Sequence, residues 1–299
     1  MNSVEPSWDL YRSFLAVLDE GSLSSAARTL ALTQPTLARH IEELEASLGG
    51  GPLFTRSPRG LLPTEAAHAL APHARTMASA AAALIRTASG AGDAIEGAVR
   101  LTASDVVGVE VLPAILRDLR AKHPKLSLEI LTSNQPADLL RREADIAIRM
   151  VQPTQSALVA KRVGDVMLGM HAHRDYIKRH GAPKSLDDVE GHALIGYDRE
   201  TIAVQALRKF GLKLTREQFA FRTDNDLAQL NLIRSGAGIG ICQIGLARRD
   251  KNLVRILPDD FSFPLGAWIT MHEDLRGSAR MRAVFDHLVE AMSAYARET

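Results

Sequence analysis

The sequence predicts an α/β protein with three parts: a small helical domain at the N-terminus, a long connecting helix, and a larger C-terminal domain of alternating strands and helices. Three observations carry this reading. Residues 8–48 hold three short stretches with apolar side chains at helical spacing, residues 64–89 form an alanine-rich run with a seven-residue repeat, and from Val99 short apolar runs alternate with helical patterns. A chain of 299 residues with 46% apolar content is long enough for two separate cores. No stretch approaches the roughly 20 consecutive apolar residues of a membrane span. The start, MNSVEPSWDL, lacks a basic region followed by an apolar core. A cytoplasmic chain with no membrane partner is therefore expected. Cys242 is the single cysteine, which excludes an intrachain disulfide and a cysteine-built zinc site. The net charge of +1 argues neither for nor against nucleic acid as a partner.

The elements follow in order. Leu10, Phe14, Val17 and Leu18 share one face of a first helix that Ser7 opens and Gly21 stops. Ser22 caps a second, short helix whose inner face is Leu23, Ala26, Ala27 and Leu30. Thr33 caps a third, with Pro35 in the first turn, where a missing N–H costs little, and with Leu37, Ile41, Leu44 and Leu48 as its apolar stripe. Gly49, Gly50 and Gly51 end it. The segment GPLFTRSPRGLLPT, with Gly, Pro and Ser between short apolar runs, reads as a hairpin or wing. From Thr64 to about Ser89 a helix places Leu70, Met77 and Leu84 at heptad spacing, a seam that calls for a partner helix. Pro72 should kink or open it. The run GAGDAIEG then reads as a hinge.

Beyond the hinge, VRLTA, VLPAILRDLRA, LSLEIL, ADLLRR and ADIAIRM alternate strand and helix, which argues βαβ units with a parallel sheet. A second series runs from about Val166 to Ile256, with capping boxes Ser185 to Asp188 and Thr223 to Asp226 opening two helices. A C-terminal helix over 279–297 buries Met281, Val284, Phe285, Leu288 and Met292.

Three short helices with a tight connection between the second and third fit a helix-turn-helix, whose third helix sets its N-terminal residues against base edges. An ordinary three-helix bundle fits the same periodicity. In the first case Thr33, Gln34, Pro35, Thr36 and Arg39 face the groove. Gln pairs with adenine and Arg with guanine or phosphate, and the helix N-terminus itself attracts phosphate. Ser22, Ser24 and His40 complete the candidate set on the helices, and Arg56 and Arg59 on the wing.

The residues between 21 and 66, GSLSSAARTLALTQPTLARHIEELEASLGGGPLFTRSPRGLLPTEA, closely resemble the N-terminal signature of LysR-type transcriptional regulators. They have the paired alanines, the Gln-Pro helix start, Ile and Leu-Glu at matching spacing and the Leu-Phe-x-Arg wing. LPAILRDLRAKHP, LLRREADIAI and RSGAGIGICQ are similar to the family's effector-binding domain, so the resemblance spans nearly the whole chain. It implies a winged helix-turn-helix domain over 1–64, a dimerising linker helix and hinge over 65–92, and a two-lobed, periplasmic-binding-protein-like α/β domain over 97–299. Lobe I would run over about 97–164 plus 266–299 and lobe II over about 165–265, with the chain crossing near 162–166 and 265–269. The implied partners are double-stranded operator DNA, a small-molecule effector, further copies of the chain in a dimer or tetramer, and RNA polymerase. No cofactor and no enzymatic activity are implied.

Two positions depart from the family pattern: Ala38 stands where a serine is frequent, and Glu42 and Glu43 occupy a helix centre that is often basic. Residues 1–64 carry five Arg against seven acidic side chains, so generic electrostatic affinity of one protomer for DNA should be weak.

Other motifs have plainer readings. The glycines of RSGAGIG miss the GxGxxG spacing and sit between a helix and a strand, the reverse of a dinucleotide site, so they read as a close-packed turn. His171 and His173 alternate on a strand without a third ligand nearby. Asp187 and Asp188 read as capping acids. Two other classes compete: a free-standing solute receptor, opposed by the N-terminal helices, and an α/β enzyme, for which no convergent catalytic set is found.

Ligands of open α/β sheets sit beyond the carboxyl ends of strands. Those places are Ser104 and Asp105, Ser133 and Asn134, Arg149, Tyr197 and Asp198, Thr223 and Asp224, and Gln243. Asp105, Thr223 and Asp224 read equally well as helix caps and first-turn acids. If they line a cleft, its acids favour a small polar or amphoteric molecule over an anionic aromatic acid.

Overall fold

The computed structural model describes residues 5–58, 60–88, 94–134, 144–153, 158–199 and 215–298, and it divides into two compact units, one N-terminal and one C-terminal. Arg59, the first half of the GAGDAIEG run and the ADLLRR segment lie outside the described residues.

In the N-terminal unit α1 (Trp8–Glu20), α2 (Leu23–Thr29) and α3 (Gln34–Ser47) enclose Leu10, Phe14, Val17, Ala26, Ala27, Leu37, Ile41 and Leu44. The alanines on α2 let it approach the others closely. Leu48, expected in the stripe, is exposed instead, because α3 ends at Ser47 and Leu48 only caps it. Ser22 and Thr33 cap as expected, their hydroxyls accepting from the backbone N–H of Ser25 and Thr36, whereas the Ser7 side chain makes no such bond. The α2–α3 turn passes through Ala31 at φ 55°, a left-handed conformation with a Cβ in place.

The wing is an antiparallel pair, β1 (Phe54–Ser57) and β2 (Gly60–Pro63). Its docking explains Gly60: at φ 120° a Cβ there would stand 2.6 Å from the Gly21 carbonyl oxygen, which already accepts from Leu61 N–H at 2.8 Å. α4 (Glu65–Ala88) follows, opened by the Thr64 hydroxyl accepting from Ala67 N–H. Pro72 does not interrupt it; the helix runs through that residue, at the cost of the hydrogen bond that Pro cannot donate.

The C-terminal unit is built on a seven-stranded sheet in the order β10-β6-β11-β5-β3-β4, with β9 also paired to β6. β3 (Gly97–Ala103), β4 (Leu126–Thr132) and β5 (Ile146–Arg149) are parallel. The sheet is nevertheless mixed, which corrects the expectation of parallel strands alone. β6 (Leu158–His173) and β11 (Phe263–His272) run antiparallel to each other, as does β11 to β5, and β9 (Gly240–Gln243) and β10 (Leu253–Ile256) to β6. Segments 162–166 and 265–269 lie opposite one another in the β6–β11 ladder, which carries an irregularity at Ala267/Trp268. A small parallel pair, β7 (Leu194–Gly196) and β8 (Phe219–Arg222), completes the strands described.

Three apolar clusters are built around this sheet. Val99, Leu101, Ile146 and Ile148 pack with Leu112, Leu116 and Leu119 of α5 (Leu112–Lys122) and with Met281, Val284, Phe285, Leu288 and Met292 of the C-terminal helix Ala279–Ala296. Met170, Tyr176, Val189, Leu194, Phe219 and Ile256 form another, which includes α6 (Arg174–His180). Leu230 and Ile233 of α7 (Asp226–Arg234) pack with Ile195, Cys242 and Leu246. The RSGAG turn between α7 and β9 is close-packed, and a Cβ at Gly238 would overlap the Ala193 carbonyl oxygen.

Relieving Ala31 tests the turn. A left-handed L-residue costs roughly 1–2 kcal/mol, and glycine's extra freedom in the unfolded chain returns roughly half of that. Ala31→Gly should therefore stabilise the N-terminal domain by about 0.5–1 kcal/mol. Urea titration of residues 1–88 against the variant checks it, and a destabilised variant would contradict the strain.

Candidate functional site

Two places carry chemistry. The first is the surface formed by the start of α3 and the wing. Ser24 Oγ donates to Gln34 Oε1 at 3.1 Å, tying α2 to the recognition end of α3, and the Thr33 and Thr36 hydroxyls lie 2.8 Å apart. Gln34, Pro35 and Arg39 are exposed, and so is Arg56 on β1. Among the described residues neither guanidinium has a hydrogen-bond or ion-pair partner. His40 departs from the set: its Nδ1 lies 2.7 Å from the hydroxyl of buried Ser13, so it braces α3 on α1. Glu45 Oε1 accepts from Leu53 N–H at 2.6 Å, fixing the wing's entry. Glu42 and Glu43 are exposed on α3.

Further along, α4 divides the three heptad positions. Leu70 packs against the N-terminal core, while Met77 and Leu84 are exposed, and so is neighbouring Ile85 at 72%.

The second place is a cavity of about 580 Å³ in the C-terminal unit, lined by Asp105, Thr132, Ser133, Asn134, Thr223, Asp224 and Asn225. Five of the ten positions named from strand ends meet there. Asn134 links its walls: Oδ1 accepts from Asp105 N–H at 3.0 Å, and Nδ2 donates to Asp226 Oδ2 at 2.9 Å. Tyr197 donates its hydroxyl to Asp226 Oδ1 at 3.0 Å; burial first, and then the charge of Asp226, hold the phenol far above its ordinary pKa, so it stays a donor. Asp224 Oδ1 accepts from the N–H groups of Asp198 and Arg199, each at 3.0 Å. Asp198 pairs with Arg216 at 2.5 Å.

Arg149 stands back from the cavity wall. It donates to Thr102 Oγ1 at 2.8 Å and to the Ile148 carbonyl at 3.2 Å, with Nε buried and unpartnered among the described residues. Burial lowers its pKa and the charge of Asp105 opposes that shift. The Ser104 carbonyl accepts from Gly108 N–H at the turn after β3. Gln243 lies elsewhere: it is buried, and its Oε1 accepts from the Tyr295 hydroxyl at 2.5 Å.

Two capping expectations need correction. Asn225, not Thr223, caps α7, its Oδ1 accepting from Ala228 N–H, while Thr223 Oγ1 accepts from Asn225 N–H one step earlier. Asp226, expected to close a capping box, turns instead to Tyr197 and Asn134. Near Ser185 the box is half formed: Ser185 Oγ accepts from Asp188 N–H, but Asp188 reaches the Lys184 N–H. Thr132, Asn225 and Asp226 are the site residues that sequence reasoning passed over. They adjoin named positions, and only the register of β4 and the start of α7 could have placed them.

His171 is buried, with Nδ1 at 2.9 Å from the Gly169 carbonyl oxygen and 3.3 Å from Cys242 Sγ; burial lowers its pKa to about 4. His173 caps α6 by accepting from Asp175 N–H.

Comparison with known proteins gives the same division of the chain. The family model for the bacterial regulatory helix-turn-helix protein, lysR family, matches residues 8–68, and that for the LysR substrate binding domain matches residues 92–293. The chain is 25% identical over 289 residues to the probable HTH-type transcriptional regulator LtrA of Klebsiella pneumoniae, covering 94% of this chain and 93% of that protein. The solved structure of CrgA, a LysR-type transcriptional regulator from Neisseria meningitidis, superposes with a TM-score of 0.59 at 23% identity, over 94% of this chain and 97% of that one. Full-length CbnR, solved in complex with its target DNA, reaches 0.68 at 21% identity, over 95% and 99%. With both family models together spanning most of its length, the chain belongs to the LysR family of transcriptional regulators.

Proposed function

We propose that this regulator grips operator DNA with the start of α3 and the wing, as a dimer or tetramer, and that its C-terminal domain responds to a small polar or amphoteric effector held in the cavity around Asn134. The observation that carries the first half is the exposed Arg39, without a partner among the described residues, on the same helix as Gln34 and Thr36 at the capped start of α3, with Arg56 exposed on the wing strand β1. Arg39 reads a base edge or a phosphate, and Arg56 holds the wing to the backbone. The working boundaries are 1–64 for DNA binding, 65–92 for the linker and 97–299 for sensing. The reading places the protein in the cytoplasm, makes it a regulator with no enzymatic activity and adds RNA polymerase as the partner of the bound complex.

A gel shift with the intergenic region beside the gene tests the whole. Arg39→Ala should weaken specific binding by about 1–3 kcal/mol, which is roughly 5- to 150-fold in Kd, with little change on random DNA. An unchanged footprint for that variant would sink the assignment.

Dimerisation draws support from the apolar side chains that α4 leaves exposed. A lone winged domain reads few base pairs, and joining two multiplies modest affinities. Leu84→Glu with Ile85→Glu should shift the protein to monomer in sedimentation at micromolar concentration and abolish tight operator binding. A monomeric wild type that still binds tightly would contradict the role of α4.

A further inference from the structure

The acids around the cavity are unequally compensated. Asp198 has Arg216 at 2.5 Å, and Asp224 has Arg199 at 3.4 Å as well as two backbone donors. Asp105 shares its field with Arg149. Asp226 alone has neutral donors only among the described residues, the Tyr197 hydroxyl and the Asn134 amide. Its carboxyl pKa is raised, first by burial and further by the like charges of Asp105 and Asp224, against the lowering by its two hydrogen bonds. A half-buried carboxylate with no cation beside it destabilises the fold, and such groups gather where a ligand completes the charge balance.

Asn134 shows how a ligand would reach it. This side chain lines the cavity and stands between it and Asp226, so the carboxylate lies one amide behind the wall. Asn134 Oδ1 accepts from Asp105 N–H, so freeing Nδ2 by rotating the planar amide loosens that single neutral bond as well and breaks no ion pair. A donor with a full positive charge outcompetes a neutral amide for a desolvated carboxylate, since charge-assisted bonds are about twice as strong.

We propose that the effector carries a cationic group, an ammonium or an amidinium, and that this group displaces the Asn134 amide to pair with Asp226. The inference rests on the cavity being the effector site and specifies the ligand it takes. It also gives binding a structural consequence. The Asn134–Asp226 bond joins the end of β4 to the start of α7, so the ligand would replace a contact between two elements by contacts of its own.

The test uses the full chain with putrescine and tyramine, each against its fully N-acetylated, uncharged form, and with succinate and benzoate, in thermal shift and calorimetry. At least one amine should raise the melting temperature while its acetylated form and the carboxylates do not, and Asp226→Asn should weaken that binding at least tenfold. Asn134→Ala removes the displaced amide but leaves the carboxylate, so it should bind the amine as well as wild type or better.

Asp226→Asn also has a stability signature. The folded state holds the Asp226 proton more tightly than the unfolded chain does, so the stability this gives is present at acid pH and is lost as pH rises through the raised folded value. At neutral pH the variant should therefore melt above wild type, with the gap closing as pH falls. The Tyr197 hydroxyl can rotate to accept from the introduced amide. Amine binding unaffected by Asp226→Asn, or lost in Asn134→Ala, would overturn the proposal, as would silence from every amine at millimolar concentration. A carboxylate whose effect disappears in Ser133→Ala but survives Asp226→Asn would overturn the charge assignment while leaving the cavity as the effector site.

Discussion

The antiparallel ladder between β6 and β11 is the joint on which the C-terminal unit depends. β6 pairs with β11 from Leu158 to Leu168 and continues to His173 against β9 and β10, while β11 pairs with β5 beyond its irregularity at Ala267/Trp268. One core forms on the β3–β5 side and another on the β9–β10 side, and the ladder between them is continuous except at the irregularity opposite Val163. Two strands crossing side by side leave bending as the soft motion and forbid dissociation. Gly164 sits in this stretch at φ 136°, where a Cβ would come within 2.9 Å of the Ala296 methyl, so the C-terminal helix reports directly on the joint.

α7 is the element poised across that joint. At its start Asp226 accepts from Asn134, and at its end Arg234 makes a bidentate pair with Glu110 at 2.7 and 2.8 Å. Glu110 lies in the π-helical turn Val107–Val111 that follows β3, five residues beyond the Asp105 wall of the cavity in chain order. The two anchors differ in kind. A fork-to-fork ion pair that is about three-quarters buried is directional and costly to break. A single amide hydrogen bond is worth about 1 kcal/mol net. On the proposed reading, a ligand at the first anchor acts on a helix that the Arg234–Glu110 pair still holds at its other end.

How much of this was legible follows from which forces each feature depends on. The N-terminal helices, their Ser22 and Thr33 caps and the buried face of the C-terminal helix were readable because periodicity and capping are local. The parallel order of β3, β4 and β5 followed from strand–helix alternation. The antiparallel crossing strands did not, since β6 and β11 are far apart in sequence and no turn between them signals their pairing. Asp105, Ser133, Asn134, Thr223 and Asp224, named by the rule of strand ends, line one cavity, which is legible because strand ends on one side of a sheet open to the same space. Asp226 was misread because a Thr-x-x-Asp spacing fits a capping box, whereas Asn225, one residue closer, takes the cap and frees the acid. Gln243 failed for the opposite reason: it stands at a strand end, but its amide is claimed by Tyr295 from 52 residues away. His40 looked like a contact to DNA because it shares a helix with Arg39, yet it is turned inward by Ser13, 27 residues before it.

The charge of the N-terminal domain shapes how DNA binding must be achieved. With seven acids against five arginines in residues 1–64, the long-range field gives little general attraction, and exposed Glu42 and Glu43 on α3 repel phosphates locally. A carboxylate off the groove floor weakens every sequence alike, so it lowers affinity without altering discrimination, which on the proposed reading rests with Arg39 and Gln34. A single domain of this kind dwells briefly on DNA of any sequence. Two of them on one linker pair recover the loss only where both half-sites are present, since the second contact is then intramolecular and its effective concentration replaces the missing electrostatic attraction. On the proposed reading the acidity of α3 and the apolar side chains left exposed on α4 are two sides of one arrangement, in which oligomerisation supplies affinity and the sparse cations supply selectivity.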